Sequence, residues 1–176
     1  MPAIIRPYRG VHPDIAKDVF VADTATVIGD VKIGPRSSVW YGVTIRGDIE
    51  EIRIGAGTNI QDGTVIHVQD GVQGTYIGDD VTIGHMAMLH ACNLQDRCLV
   101  GMKSCVLDGA VVETGAMVAA GALVTPGKIV RKGELWSGVP AKKLRDLSQE
   151  EIDYFDISAE EYVKFAADHN SSQKAS

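Results

Sequence analysis

The sequence predicts an all-β chain wound into a parallel β-helix and followed by a C-terminal helical segment. Two observations carry this expectation. From about residue 20 to 125 no apolar stripe at helical spacing is sustained. In its place aliphatic residues return at every sixth position: Val21, Val27, Ile33, Val39 and Ile45; then Ile54, Ile60 and Ile66; then Ile77, Ile83 and Leu89; then Leu94, Val100, Val106, Val112, Val118 and Val124. Four residues after most anchors stands a small or β-branched side chain, such as Ala25, Val43, Thr64, Cys98 or Ala122, and Gly often follows the anchor directly, as at Gly34, Gly84 and Gly101. Short strands stacked coil on coil bury such anchors against their neighbours, and a six-residue repeat is the pattern of that arrangement. A β-sandwich would need period-two runs with hairpin turns every 8 to 12 residues or so.

The pattern resembles the hexapeptide-repeat, left-handed β-helix family, whose prisms carry three flat faces per coil. Left-handedness is implied by that resemblance and runs against the usual right-handed crossover. On the same resemblance, three hexads make one coil of 18 residues. Residues 1–20 are then a lead-in, and 21–125 the β-helix domain. Three extra residues between Ile45 and Ile54 and five between Ile66 and Ile77 predict corners that bulge, and one missing between Leu89 and Leu94 predicts a corner that tightens. Cys98 falls on a small inward position and is expected as core filler. Residues 126–147, with "PGKIVRKGELWSGVPAKKLR", form a turn-rich exit loop. Residues 148–176 are a helix and tail. Ser148 with Glu151, and Ser158 with Glu161, both have capping-box spacing, which predicts one broken helix or two short ones to about residue 168. Phe155, Tyr162 and Phe165 are expected against the prism or a neighbouring chain, and "NSSQKAS" as a frayed tail.

Composition narrows the partners. A chain of 176 residues, 45% apolar and 23% charged, can bury one sizeable core. A formal charge of −6 without clustered Lys and Arg excludes a nucleic-acid backbone as partner. Three cysteines without a CxxC make no disulfide framework, and "MPAIIRPYRG" has neither the apolar run of a signal peptide nor a membrane span. The cytoplasm is the expected location.

Three of the five histidines fall within 24 positions, at 67, 85 and 90. His67 follows Ile66 by one and His90 follows Leu89 by one, so both occupy one outward column of the second face, one coil apart. Strands stack at about 4.8 Å, from which two rings can lean toward a common ion. His85 lies two past Ile83 on the first face, with Asp62 as its column partner one coil earlier. A prism edge separates it from the other two, so it completes a three-histidine set most easily by facing the second face of another copy. A closed heterologous trimer would carry three such sites. Arg46 shares the column of His67 and His90, and the same geometry lets it meet Asp62 of the partner subunit in a bidentate pair. Read without any family, Arg46 and Asp62 are equally well exposed charges. His12 and His169, outside the repeat, are expected to be ordinary side chains. Three imidazoles on Zn²⁺ leave a fourth position open, the pattern of a catalytic site at which bound water becomes a nucleophile near neutral pH; the general example of that arrangement is itself carbonic anhydrase. Fe²⁺ or Co²⁺ would accept the same ligands.

These residues resemble the γ-class carbonic anhydrase family, and more narrowly its small bacterial members. "IRGD" at 45–48, "NIQDGTVIH" at 59–67, "IGHMAMLH" at 83–90 and "GVPAKKLR" at 138–145 carry the resemblance. It implies a homotrimer with metal held by His67, His90 and a neighbour's His85, the Arg46–Asp62 contact between subunits, and Gln61 with Asn59 positioning hydroxide or bicarbonate during reversible hydration of CO2. The archetypal active members carry an acidic loop with a proton-shuttling Glu, whereas "VQDGVQGTY" here offers only Asp70, leaving proton export to Asp70, buffer or solvent. Two other readings share the fold. One is an acyltransferase using an acyl-CoA with a single His as general base. The other is a catalytically weak metal-binding trimer.

Overall fold

The computed structural model describes residues 2–174. The chain winds as a left-handed parallel β-helix of about seven turns with one C-terminal helix. On the first face lie Phe20–Val21, Ser38–Val39, Asn59–Ile60, Thr82–Ile83, Leu99–Val100, Met117–Val118 and Glu134–Gly138. The second face is built from the first halves of Thr26–Ile33 and Thr44–Ile54, then Val65–His67, Met88–His90, Cys105–Val106 and Leu123–Val124. The third takes the second halves of those two long strands, then Thr75–Ile77, Asn93–Leu94, Val111–Val112 and Ile129–Val130. The anchors stack as the period requires: Ile83 pairs with Ile60, Leu89 with Ile66 and Leu94 with Ile77.

Burial follows the period. Every anchor from Val27 to Val124 is buried, as are the small residues four positions on, Ala25, Val43, Thr64 and Cys98 among them. Full burial with no compensating charge pushes the Cys98 thiol far up, and that of Cys92 up to about 12, so both are inert packing groups. The glycines one past the anchors have a steric cause. A Cβ at Gly101 would stand 2.5 Å from the Ala120 nitrogen, and one at Gly84 2.7 Å from that of Met102, because successive coils stack backbone on backbone there.

Most corners turn on one left-handed residue three positions after the anchor. Glycine fills it at 42, 57, 63, 109, 115, 121, 127 and 133, while Arg36, Asp80, Met86, Arg97 and Lys103 occupy it with φ of 61°, 54°, 60°, 54° and 57°. A side chain in that region costs about 1–2 kcal/mol, offset only by the stacking on either side. At the shortened corner the left-handed residue moves up by one, to Ala91, φ 46°.

Several expectations are corrected. The three extra residues after Ile45 make no loop; Thr44–Ile54 is one eleven-residue strand that crosses the corner, with its register against Thr26–Ile33 shifting between Gly29 and Val31. The five extra residues after Ile66 do leave the prism, closed by an antiparallel bridge of Gln69 and Gln73. The stacking also runs beyond residues 21–125. Ile4–Arg6 and Asp14–Ile15 pair with Thr26–Ile33, Ile129–Val130 pairs with Val111–Val112, and Glu134–Gly138 pairs with Met117–Val118 before Ala141–Asp146 reverses antiparallel. In the expected exit loop the anchor is still present as buried Val130, but charged neighbours mask the period.

The C-terminal segment is a single helix, Gln149–Lys174, neither broken nor doubled, and it takes in all of the expected frayed tail that lies within the described residues. Ser148 caps it: Glu151 N donates to Ser148 Oγ at 3.2 Å, and Ser148 N to Glu151 Oε2 at 2.9 Å. Ser158 starts no second helix. It lies mid-helix, buried, with its hydroxyl 3.2 Å from that of Thr82 on the first face. Phe155 is buried, Tyr162 packs edge-on against Trp40, and Phe165 remains half exposed. Arg97 forks onto Asp156 with two bonds of 2.6 Å and fixes the helix along the prism. Among the described residues no helix is long and apolar enough to cross a membrane.

Candidate metal centre

His67 and His90 are cross-strand neighbours in register, with ring centroids 5.3 Å apart. His67 Nδ1 faces His90 Nε2 at 3.3 Å. The other nitrogen of each ring meets a carboxylate: His67 Nε2 stands 3.0 Å from Asp48 Oδ1, and His90 Nδ1 2.5 Å from Asp108 Oδ1. His85 repeats the device, with Nδ1 2.8 Å from Asp62 Oδ2, the column partner that its spacing predicts. All three rings are therefore oriented by an aspartate.

These contacts set the tautomers. An ionised carboxylate only accepts, so the ring nitrogen beside it carries the proton and, in a neutral imidazole, the opposite nitrogen is a bare lone pair. With both rings neutral, His67 and His90 would turn two lone pairs toward each other, an arrangement that a shared cation satisfies. The donor set fits a transition metal. In a tetrahedral site with metal–nitrogen distances of about 2.0–2.1 Å, two ligand nitrogens stand about 3.3 Å apart, and a carboxylate behind each ring is the usual support for a metal-binding histidine.

Asp48 has a second partner. Arg46 donates to its Oδ2, so the guanidinium, Asp48 and His67 form one chain. Burial disfavours the Asp48 charge, but the hydrogen bonds from His67 and Arg46 outweigh it and hold the carboxyl below its usual range.

Not every expected residue converges. Among the described residues no three His, Cys, Asp or Glu groups gather into a metal-holding set within one chain, so His85 stays apart from His67 and His90. Within one chain Arg46 meets Asp48, and Asp62 is engaged by His85. Gln61 and Asn59 do adjoin: Gln61 Nε2 donates to Asn59 Oδ1 at 3.1 Å, and both side chains are buried. Gln61 and His85 line a hollow of about 350 Å³ between the helix and the first face, with Met102, Tyr154 and Ser158 on its walls. Asp70 is exposed on the corner loop. His169 accepts or donates at 3.0 Å to the Tyr41 hydroxyl within an aromatic cluster and has a packing role. Sequence reasoning missed Asp48 and Asp108. Asp48 lies three past Ile45 and Asp108 two past Val106, so neither falls in the histidines' own column one past the anchors, and the spacing held no signal for them.

The comparisons follow the same lines. No protein-family model matches the chain. It is 50% identical over 169 residues to the mitochondrial gamma carbonic anhydrase 2 of Arabidopsis thaliana, covering 93% of this chain and 61% of that one. It is 45% identical over 161 residues to a carbonic anhydrase of Geobacillus kaustophilus, covering 92% of this chain and 88% of that one. The chain thus spans about three fifths of the length of the plant relatives it matches and nearly the whole of the bacterial one. Among solved structures, a hexapeptide transferase family protein from Anaplasma phagocytophilum superposes with a TM-score of 0.90 at 51% identity, over 93% of this chain and 96% of that one. A putative acetyltransferase from Bacillus cereus does so with 0.94 at 37%, over 97% and 99%. With the repeat, the stacked imidazoles and relatives matched over nearly their whole length, the chain belongs to the γ-class carbonic anhydrase-like family of hexapeptide-repeat, left-handed β-helix proteins.

Proposed function

We propose that this protein interconverts CO2 and bicarbonate at metal sites shared between the subunits of a homotrimer, each held by His67 and His90 of one chain and His85 of the next. The observation that carries the reading is the pair of aspartate-anchored imidazoles whose free nitrogens face each other at 3.3 Å, with a third imidazole, equally anchored, beyond a prism edge. The relatives named as carbonic anhydrases support it. Zn²⁺ is our assignment for the ion, with Fe²⁺ or Co²⁺ accepted by the same donors. When bound, the ion brings the ionisation of water down to near neutral pH and so supplies the nucleophile.

The chain's own residues do the rest. Asp48, Asp62 and Asp108 hold the three rings in one tautomer and one orientation. Gln61, steadied by Asn59, presents a carboxamide to the hollow beside His85 and orients bicarbonate there. The apolar walls, Met102 and Tyr154 among them, receive CO2, which offers little to a polar site. Exposed Asp70 is our candidate for passing the released proton to buffer.

An acyltransferase needs one imidazole as general base, and nothing in that chemistry calls for three anchored ones. The deciding experiment is stopped-flow CO2 hydration with metal analysis on the purified protein. Expected are one ion per chain, hydration dependent on it, and loss of both on chelation. Full metal without hydration would leave only a metal-binding trimer.

Between subunits, Arg46 is proposed to reach Asp62 of the partner subunit, giving up Asp48 on assembly. Arg46→Ala should then raise the concentration at which trimers dissociate by about tenfold or more, as loss of a charge-assisted pair requires. Unchanged sedimentation on dilution would remove the contact from the interface.

A further inference from the structure

A chain of buried hydrogen bonds runs from the Gln61 carboxamide to the middle of the C-terminal helix. Gln61 Nε2 donates to Asn59 Oδ1 at 3.1 Å, Asn59 Nδ2 donates to Thr82 Oγ1 at 2.9 Å, and Thr82 Oγ1 stands 3.2 Å from Ser158 Oγ. Asn59 is fully buried, and Gln61, Thr82 and Ser158 keep 6%, 6% and 5% of their surface. Among the described residues no buried side-chain nitrogen or oxygen lacks a partner. The Gln61 oxygen, which has no protein hydrogen bond among those residues, is therefore the part of the side chain that opens on the hollow it shares with His85.

The direction of this chain is a matter of proton bookkeeping. A carboxamide can be turned end for end at no cost in shape, so the cavity alone does not decide whether Gln61 shows its oxygen or its nitrogen. A hydroxyl has one proton to give. Thr82 accepts from Asn59, so its own proton is not used in that bond, and of the two hydroxyls 3.2 Å apart we assign Thr82 as the donor and Ser158 as the acceptor. Without the serine oxygen the Thr82 proton has only Asn59 in reach. The favoured arrangement then reverses throughout: Thr82 donates to the Asn59 oxygen, the Asn59 nitrogen to the Gln61 oxygen, and Gln61 shows its NH2 to the hollow.

We propose that Ser158 is a positioning residue that holds the Gln61 carboxamide with its oxygen toward the hollow beside His85. An acceptor at that place selects a ligand oxygen that carries a proton, as in bicarbonate, over the bare oxygens of carbonate or a carboxylate. The effect on turnover rests on the hydration reading above; the orientation of the amide does not. A buried serine mid-helix, where alanine would be the better helix former, is accounted for by this role.

The test is hydrogen exchange at the Gln61 side-chain amide, followed by ¹⁵N NMR in the full-length protein, its signal assigned with Gln61→Ala. In the wild type one Nε2 proton is held by Asn59 and exchanges slowly. Ser158→Ala should speed that exchange at least tenfold, with backbone exchange elsewhere unchanged, and Ser158→Thr, which keeps the hydroxyl, should restore it. CO2 hydration in Ser158→Ala should lose about tenfold in kcat with KM little altered. Unchanged side-chain exchange in Ser158→Ala, or equal acceleration in Ser158→Thr, would overturn the proposal. A wild type without CO2 hydration would defeat the hydration reading, while the exchange comparison would still decide the amide's orientation.

Discussion

The His85→Ala protein is expected to assemble as the wild type does, to retain less than a tenth of its metal and to lose at least a thousandfold in CO2 hydration. His85 lies on the far side of a prism edge from the His67–His90 pair, and no three candidate ligands converge within the described residues of one chain. If the third ligand belongs to the next subunit, its loss empties every site in a homogeneous trimer. Mixing then gives a sharper result. A subunit lacking His85 still offers His67 and His90, and a subunit lacking His67 still offers His85. When the two inactive proteins are unfolded and reassembled together in equal amounts, about a quarter of the interfaces join an intact pair to an intact third ligand, as closed heterologous symmetry requires. Metal and activity should return to about that fraction. Recovery of nothing, with mixed trimers verified by mass, would place all ligands within one chain and end the shared-site reading.

What was legible in the sequence, and what was not, divides by range. The six-residue period, together with the three faces per coil that the family resemblance implies, set the pairing of His90 with His67 and the place of His85 over Asp62, because strand stacking turns a sequence offset directly into a spatial neighbour. The corners were less legible. Whether three added residues loop out, or extend a strand as in Thr44–Ile54, depends on the neighbouring coil, and Thr26–Ile33, three residues shorter, pairs with it on both sides of a register shift. Ser158 misled for a related reason. Its capping-box spacing is local, whereas its actual partner is Thr82, 76 residues away on the first face. Asp48 and Asp108 were overlooked because acidic residues on a surface are ordinary, and only the rings beside them make them informative.

Those two aspartates lead to the second large expectation. Asp108→Ala should weaken metal binding by about 10- to 100-fold while leaving the fold intact, the range usual for losing the carboxylate behind a ligating histidine. Asp108 Oδ1 lies 2.5 Å from His90 Nδ1, and that contact both keeps the proton on Nδ1 and holds the ring so that Nε2 faces His67. Without it, His90 can shift its proton to Nε2 and rotate. The metal would then have to reorder the ring and move the proton before binding, and affinity falls by the cost of both. Asp108→Asn, able to accept through its carbonyl but without charge, should fall between alanine and wild type. The control is Asp156→Ala, which also removes a carboxylate from an ion pair, but on the helix surface beside Arg97, and should leave metal affinity unchanged. Competition against a coloured chelator reads all three. An Asp108→Ala affinity within about twofold of wild type would mean that His90 is oriented by its strand alone and that the carboxylate is only a surface charge.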